Sequence, residues 1–588
     1  MSKHSKALDM KVVYVGKDES ARRRWMSRDD DILLLLYDRW DDYGFKTRFP
    51  TFCRVDGEEL ELGAIRILFQ DNSSSHQHLS QLRKDNWDGV FPIDRENYIS
   101  VPEDVTFYEQ LQGATSDEET LAIAEQLRDA SLFVFEREDQ DAIKLTDTDG
   151  FRNSLQRERG SQKSFADVWK VLSGSALGVS DLSFDFRDVL GDLSTLTLNF
   201  DSQSILPHDI NVLIGPNGVG KSWLLKQLVR AWLLPPKQAD ELDGAGFKEK
   251  PNLSQLVTVS YSPFERFPVD ADDEPALDQR LQDKDVYRFF GFRGRPAPEK
   301  GKRPRKTRHS LAVPRINAAT SLINCLTDDL RFSGMKQWAN KLDTLHRVLG
   351  KAITFDTAAL LLKPEAPIAD IIIEDPLDDL QAIELDRNYD NPGIYLPISN
   401  HDGVLNIDLL RSHVEYEAGV TFFDGDEPVS LSSGQRLFLY IVINVIGVIR
   451  RNSLVIVDEP ELFLHPALEI DFVTMLKKVL RTYGSKAMLA THSPVTVREV
   501  PSSCVHVLGI SDDELAITSP PFETFGGDVQ RIASYVFGDR AVSKPHESWL
   551  RELLEEHGSA EEVIALLDEE INEEIIIQLH AMDNGKWF

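Results

Sequence analysis

Short apolar runs and longer amphipathic segments follow one another along the chain in an order that sorts it into regions. In residues 1–165, KVVYVG and GAIRILFQ read as strands. DEETLAIAEQLRDASLFVFE reads as an amphipathic helix entering a strand, and polar turns such as DNSSSHQH separate these elements. From 175 to 262, TLTLNF, INVLIG and LVTVSYS predict strands around one helix, WLLKQLVRAWLL. Residues 263–420 carry a mostly helical pattern and read as an insertion. The strand-and-helix alternation resumes at 421–520 with a thirteen-residue apolar run, LFLYIVINVIGVI, and the strands of SLVIVDEP and KAMLATHSP. Residues 521–588 form an acidic helical region whose last amphipathic segment is EEVIALLDEEINEEIIIQLH. The pattern predicts an α/β fold with a mixed sheet and flanking helices, split by the insertion into 175–262 and 421–520.

Composition narrows this picture. At 588 residues and 41% hydrophobic content, the chain has room for three or four domain-sized units with true cores. A formal charge of −32 repels nucleic acid, so DNA or noncoding RNA contact falls to a local basic patch. The stretch 293–308 holds eight Lys and Arg residues and is the one candidate. Its prolines and glycines favour a solvated loop over a built interface. Three scattered cysteines, Cys53, Cys325 and Cys504, form neither a disulfide framework nor a zinc site and suit a reducing cytoplasm. The first residues contain no signal-peptide run. The thirteen-residue apolar run, with Asn444 and Gly447 inside it, is shorter than the roughly 20 residues a bilayer requires and reads as a buried helix.

Candidate chemistry concentrates in the split region. In GPNGVGKS, Gly215, Pro216, Asn217, Gly218 and Gly220 form a loop between a strand and a helix, followed by Lys221 and Ser222. Glycines let backbone N–H groups turn inward around phosphates, and the helix N-terminus favours the anion. Lys221 is expected to bridge the β- and γ-phosphates of ATP, and Ser222 to ligate Mg²⁺. The strand of SLVIVDEP delivers Asp458 to the metal and places Glu459 beside it to polarise the attacking water. His492 ends the strand of KAMLATHSP, where it can meet the γ-phosphate. Ser432, Ser433 and Gly434 of VSLSSGQR lie at a predicted helix start, a second anion-binding end that suggests a different nucleotide from the one Lys221 holds. Asp38, Asp41 and Asp42 of DRWDDYG read as a solvated acidic turn, because no lysine-bearing strand follows to complete a nuclease centre.

LSSGQ, DEP and THS, in that order after GPNGVGKS, resemble the ABC-type ATPase heads, including SMC-like, RecF-like and OLD-type proteins. The resemblance implies two subunits sandwiching two ATP molecules, with Ser432, Ser433 and Gly434 of one completing the site of the other. DEPELFLHP favours the soluble OLD/RecF-like branch and implies Glu461 and His465 near the seam. Transporter-like heads carry a glutamine after the strand that here reads LVTVSYSPFE; none is present, and Glu265 or a backbone group takes its place. SYSPFERF, DVYRFFGFR and PPFETFGGDVQRIASYVFGD resemble bacterial anti-phage ATPases of the PtuA type from Septu and retron systems.

That resemblance implies an ATP-hydrolysing sensor subunit, a homodimer or higher homo-oligomer, controlling a separate effector such as an HNH-type nuclease. No Toprim-type acidic motif follows His492, and Asp512 and Asp513 read as a turn between strands, so the effector belongs to another chain. A RecF- or SMC-like DNA-repair ATPase is the alternative, although the insertion shows no sustained heptads and no CxxC hook. An ATPase subunit of a transporter is the third reading, and no membrane contact is expected.

Overall fold

The computed structural model describes residues 10–584 except 43, 174–178, 180, 203, 235–242, 250, 252, 270–285, 295–306, 333–339, 374–380, 390, 400–404, 512, 539–544 and 569–570. The chain divides into two compact units, Met1–Phe525 and Gly526–Phe588.

The centre of the first unit is a seven-stranded sheet. Its strand order is Tyr287–Phe290, Gln255–Ser260, Ser453–Asp458, Lys486–Thr491, Ile210–Ile214, Val505–Ser511 and Glu514–Thr518. The first six strands pair in parallel and the last pair is an antiparallel hairpin. The central strands are buried along their whole length, as near-continuous apolar runs require when helices cover both faces of a parallel sheet. A smaller antiparallel sheet of Gly246–Phe247, Leu182–Arg187 and Leu193–Leu198 shares the core of the helix Lys221–Leu233, with Phe184, Leu225, Leu228 and Trp232 in one cluster. The predicted apolar run is the interior of the helix Ser433–Val448, buried from Leu437 to Val448. It packs on the twenty-residue helix Ala312–Arg331 so closely that a Cβ at Gly447 would lie 2.5 Å from the Ser321 carbonyl oxygen.

The insertion corrects the mostly helical expectation. Besides its helices it carries Ile383–Leu385, Gly393–Pro397 and Thr357–Leu361, which join Val420–Asp424 and Glu427–Pro428 at its end in a five-stranded antiparallel sheet of that order. Strands of two to five residues between polar loops are too short for alternation to show. Tyr287–Phe290, from the same sequence region, pairs instead with the central sheet. Residues 295–306 lie outside the described residues, so most of the basic stretch does too.

The N-terminal region is a sheet in the order Lys11–Gly16, Ile32–Leu36, Arg48–Val55, Ala64–Phe69 and Tyr98–Pro102, with Glu58–Leu60 paired to Arg48–Val55. The expected strand of SLFVFE is a helix, Ala130–Phe135, because Asp129 accepts the Leu132 amide and caps it. Asp42 is no solvated turn residue: it is fully buried against Arg66, Arg157, Ser154 and Trp40. This region meets the central domain through ion pairs of Asp104 with Arg450 at 3.3 Å and of Glu109 with Arg451.

In the second unit, the last amphipathic segment forms two helices, Ala560–Leu567 and Glu573–Asp583, separated at Asp568, whose φ of 45° breaks the first. They enclose a small core with Leu550, Ala560, Val563 and Leu579. No helix among the described residues is long and apolar enough to cross a membrane.

Candidate functional site

The site forms where the parallel strands of the central sheet end. Ile210–Ile214 runs into the loop 215–220, and Gly218 and Gly220 take φ values of 85° and 95° there. Those left-handed conformations turn successive N–H groups to one side, which side chains resist and glycine accepts. Gly215 is needed for a different reason: a Cβ there would sit 2.3 Å from the Leu508 carbonyl oxygen of the neighbouring strand.

Lys221 opens the helix and folds back over this loop. Its Nζ donates to the carbonyls of Gly215 at 2.9 Å and Pro216 at 3.2 Å, and to Nε2 of His492 at 2.9 Å. Two carbonyls and an imidazole thus satisfy the ammonium within the protein. Burial brings the Lys221 ammonium down to about 8, against the pull of Glu459, Asp458 and Glu461. Burial and the nearby Lys221 charge lower the His492 imidazole from its ordinary value, which keeps Nε2 available as an acceptor.

Ser222 donates to Oδ1 of Asp458 at 2.9 Å, and the Ser260 hydroxyl stands 3.5 Å from Oδ2. Burial pushes the Asp458 carboxyl up to about 7, and the charges of Glu459 and Glu461 add to it, against the Ser222 hydrogen bond. A hydroxyl and a buried carboxylate crowded by two more carboxylates fit a divalent cation, whose charge would restore ionisation of Asp458. The residues present therefore fit Mg²⁺ bound with a triphosphate.

Glu459 takes φ 53°, a conformation that non-glycine residues adopt at a cost of about 1–3 kcal/mol, typically at functional sites. Its amide donates to the Ala490 carbonyl at 2.8 Å, which fixes the backbone of Glu459 beside the strand that ends at Thr491. Glu461 and His465 point to local work. Glu461 Oε1 accepts the His492 amide at 2.5 Å while its Oε2 is buried without a hydrogen-bond partner. The His465 ring caps the helix Pro466–Thr482.

Thus Gly215, Pro216, Lys221, Ser222, Asp458 and His492 are joined by direct contacts, while Asn217 and Gly218 lie exposed on the loop. Ser432, Ser433 and Gly434 form a surface tip instead. Ser432 and Gln435 make a capping box, with Gln435 N to Ser432 Oγ at 3.2 Å and Ser432 N to Gln435 Oε1 at 3.0 Å. Glu265 does not replace the missing glutamine. Its buried carboxylate accepts two hydrogen bonds from Arg293, at 2.8 and 3.1 Å, and one from the Phe267 amide at 2.8 Å. Arg293 is thereby tied into the fold and removed from the basic stretch.

One feature escaped sequence reasoning. Val189, Leu190 and Leu193, in the turn between Leu182–Arg187 and Leu193–Leu198, are about half exposed, as is Trp223. Val189 lies beside the loop, 2.8 Å from where a Cβ of Gly220 would be, and the Trp223 indole donates to the Arg187 carbonyl at 3.0 Å. The exposed Trp at the first turn after GKS was the available signal for this apolar shelf.

Sheet order, the glycine-rich loop and the DEP strand end together give the fold of an ABC-type P-loop head. Residues 210–498 match the family model described as "AAA domain, putative AbiEii toxin, Type IV TA system". Along nearly its whole length the chain is similar to protein ea59 of Escherichia phage lambda, 24% identical over 94% of this chain and 95% of that protein. Similar solved structures include an ATP-binding cassette of an ABC transporter in its ADP conformation. It is 13% identical and covers 62% of this chain and 97% of that one, with a TM-score of 0.26. The SMC head domain from Thermotoga maritima is 9% identical and covers 59% and 100%, with a TM-score of 0.24.

Proposed function

We propose that the chain binds and hydrolyses ATP with Mg²⁺ and that two copies close face to face around the nucleotides. The observation that carries this reading is the convergence of Lys221, Ser222, Asp458 and His492 within hydrogen-bond reach at one strand-end cluster. Lys221 binds the β- and γ-phosphates, Ser222 and Asp458 hold the metal, Glu459 polarises the attacking water, and the purine rests on the shelf of Val189 and Trp223. The surface position of Ser432, Ser433 and Gly434 supports a role on the nucleotide of the other copy.

Replacing Lys221 with Ala is expected to weaken ATP binding by at least about a hundredfold, since a buried cation-to-phosphate contact is lost. Titration with a fluorescent ATP analogue measures this, and unchanged affinity refutes the site. Glu459→Gln is expected to preserve binding, slow turnover by about a hundredfold and trap the paired state. Wild-type turnover in that variant removes Glu459 from the role of base.

The wider role we infer is regulation in a phage–host conflict system, through a separate effector nuclease. A phage protein alignable end to end and a family described by a toxin support that setting. The purified chain, given Mg²⁺ and ATP, is expected to leave DNA and RNA uncut; cleavage by the chain alone overturns the separate effector.

A further inference from the structure

The helix Ser433–Val448 is apolar through its buried stretch except for one amide. Asn444 is fully enclosed, and an amide in such surroundings is costly unless both its ends are bonded. Oδ1 accepts from the Ser321 hydroxyl at 3.0 Å, and Nδ2 donates to the Tyr261 hydroxyl at 3.3 Å. The two partners lie on different bodies. Ser321 belongs to the helix Ala312–Arg331, packed tightly against Gly447. Tyr261 directly follows the strand Gln255–Ser260, whose last residue pairs in register with Asp458 and places its hydroxyl 3.5 Å from that carboxylate. The Tyr261 ring is buried and stands edge-on to Phe292 at 5.3 Å, which restricts its own motion.

Asn444 lies twelve residues along the helix from Ser432. At 1.5 Å per residue, the tip is about 18 Å from this bond, so a small rotation at Asn444 becomes a larger displacement at the tip. Glu265, the carboxylate that follows this strand, is committed to Arg293.

We propose that the Tyr261–Asn444 hydrogen bond transmits the state of the metal-side strand end to the Ser432–Gly434 tip, making Tyr261 and Asn444 positioning residues for head pairing. This rests on the paired-head reading above. The bond carries position and not chemistry: neither side chain is expected to touch nucleotide.

The test uses the full chain with Mg²⁺ and ATP. In the Glu459→Gln background, ATP-dependent pairing is followed by sedimentation velocity; with Glu459 intact, kcat and KM are measured. Tyr261→Phe is expected to weaken pairing and lower kcat by about tenfold, while KM and the affinity for a fluorescent ATP analogue stay within about twofold. Asn444→Leu is expected to weaken pairing less in the Tyr261→Phe chain than in the parent, because the Tyr261 bond is already gone there while the Ser321 bond is lost in both. Tyr261→Phe chains that pair and turn over like the parent, with only a lower melting temperature, make the bond a packing feature and overturn this inference while head pairing stands. A Glu459→Gln parent that binds ATP and stays monomeric overturns head pairing and this inference together. If Asn444→Leu does not fold, Tyr261→Phe alone decides.

Discussion

Two charged clusters in the first unit make opposite use of burial. In the N-terminal region, Asp42 and Arg66 are both fully buried, yet each is answered by the protein itself. Arg157 adds a bond to Asp42 at 2.5 Å, Glu158 one to Arg66 at 2.9 Å, and Glu103 joins Arg66 at 3.1 Å. At the phosphate-binding loop, Asp458, Glu459 and Glu461 crowd a single lysine whose own proton is weakened by burial. The first cluster is complete as it stands and serves the fold. The second has more acid than base, a demand that the proposed Mg²⁺ and its triphosphate would meet from outside. Buried charge alone does not mark a functional site; charge without an internal counterpart does.

The largest effect that would break this contrast belongs to the complete cluster. Arg66→Met strips one cation from Asp42 and is expected to destabilise the chain by about 3–5 kcal/mol, while nucleotide affinity stays unchanged. Thermal unfolding and nucleotide titration measure the two sides, and a stability loss below about 1 kcal/mol would reduce the cluster to the rank of surface pairs.

The incomplete cluster is tested by pH. Asp458 binds its proton more tightly folded than unfolded, so its contribution to stability is full below the ordinary carboxylate range and is lost as pH rises through about 7. Without metal, Asp458→Asn should therefore gain stability relative to the parent between pH 4 and about 7, on the order of 4 kcal/mol at most. Taking the difference removes the contribution of His492, whose lowered pKa acts in the opposite direction. Added Mg²⁺ and ATP should shrink the gap; parallel stability curves would show that Asp458 is not held in excess of its counter-charge.

The smallest effect concerns the shelf. Trp223→Ala is expected to weaken ATP about fivefold and leave inorganic triphosphate unaffected, as loss of an aromatic contact to the base requires. Equal losses for both ligands would assign Trp223 to the phosphate side.

How much was legible follows the same division. GPNGVGKS and SLVIVDEP are local patterns whose geometry is set by neighbours in sequence, and the structure brings Lys221, Ser222 and Asp458 together. The apolar run from Leu437 also declared its burial. Long-range pairing was silent. Nothing near Asp42 in the sequence announces Arg157, and nothing near Glu265 announces Arg293. The apolar and aromatic residues of 130–135 suggest a strand, and the capping Asp129 makes them a helix. In sequence Asn444 argues only against membrane insertion, because its partners Ser321 and Tyr261 lie more than a hundred residues upstream.

The Ser432 hydroxyl that closes the helix start does so with a lone pair, since the oxygen accepts from Gln435. An alcohol has two lone pairs and one proton, so the O–H remains free to swing outward. The same atom can thus anchor its own helix and greet an anion on an approaching molecule without choosing between them. An aspartate would close the helix equally well and then turn every phosphate away.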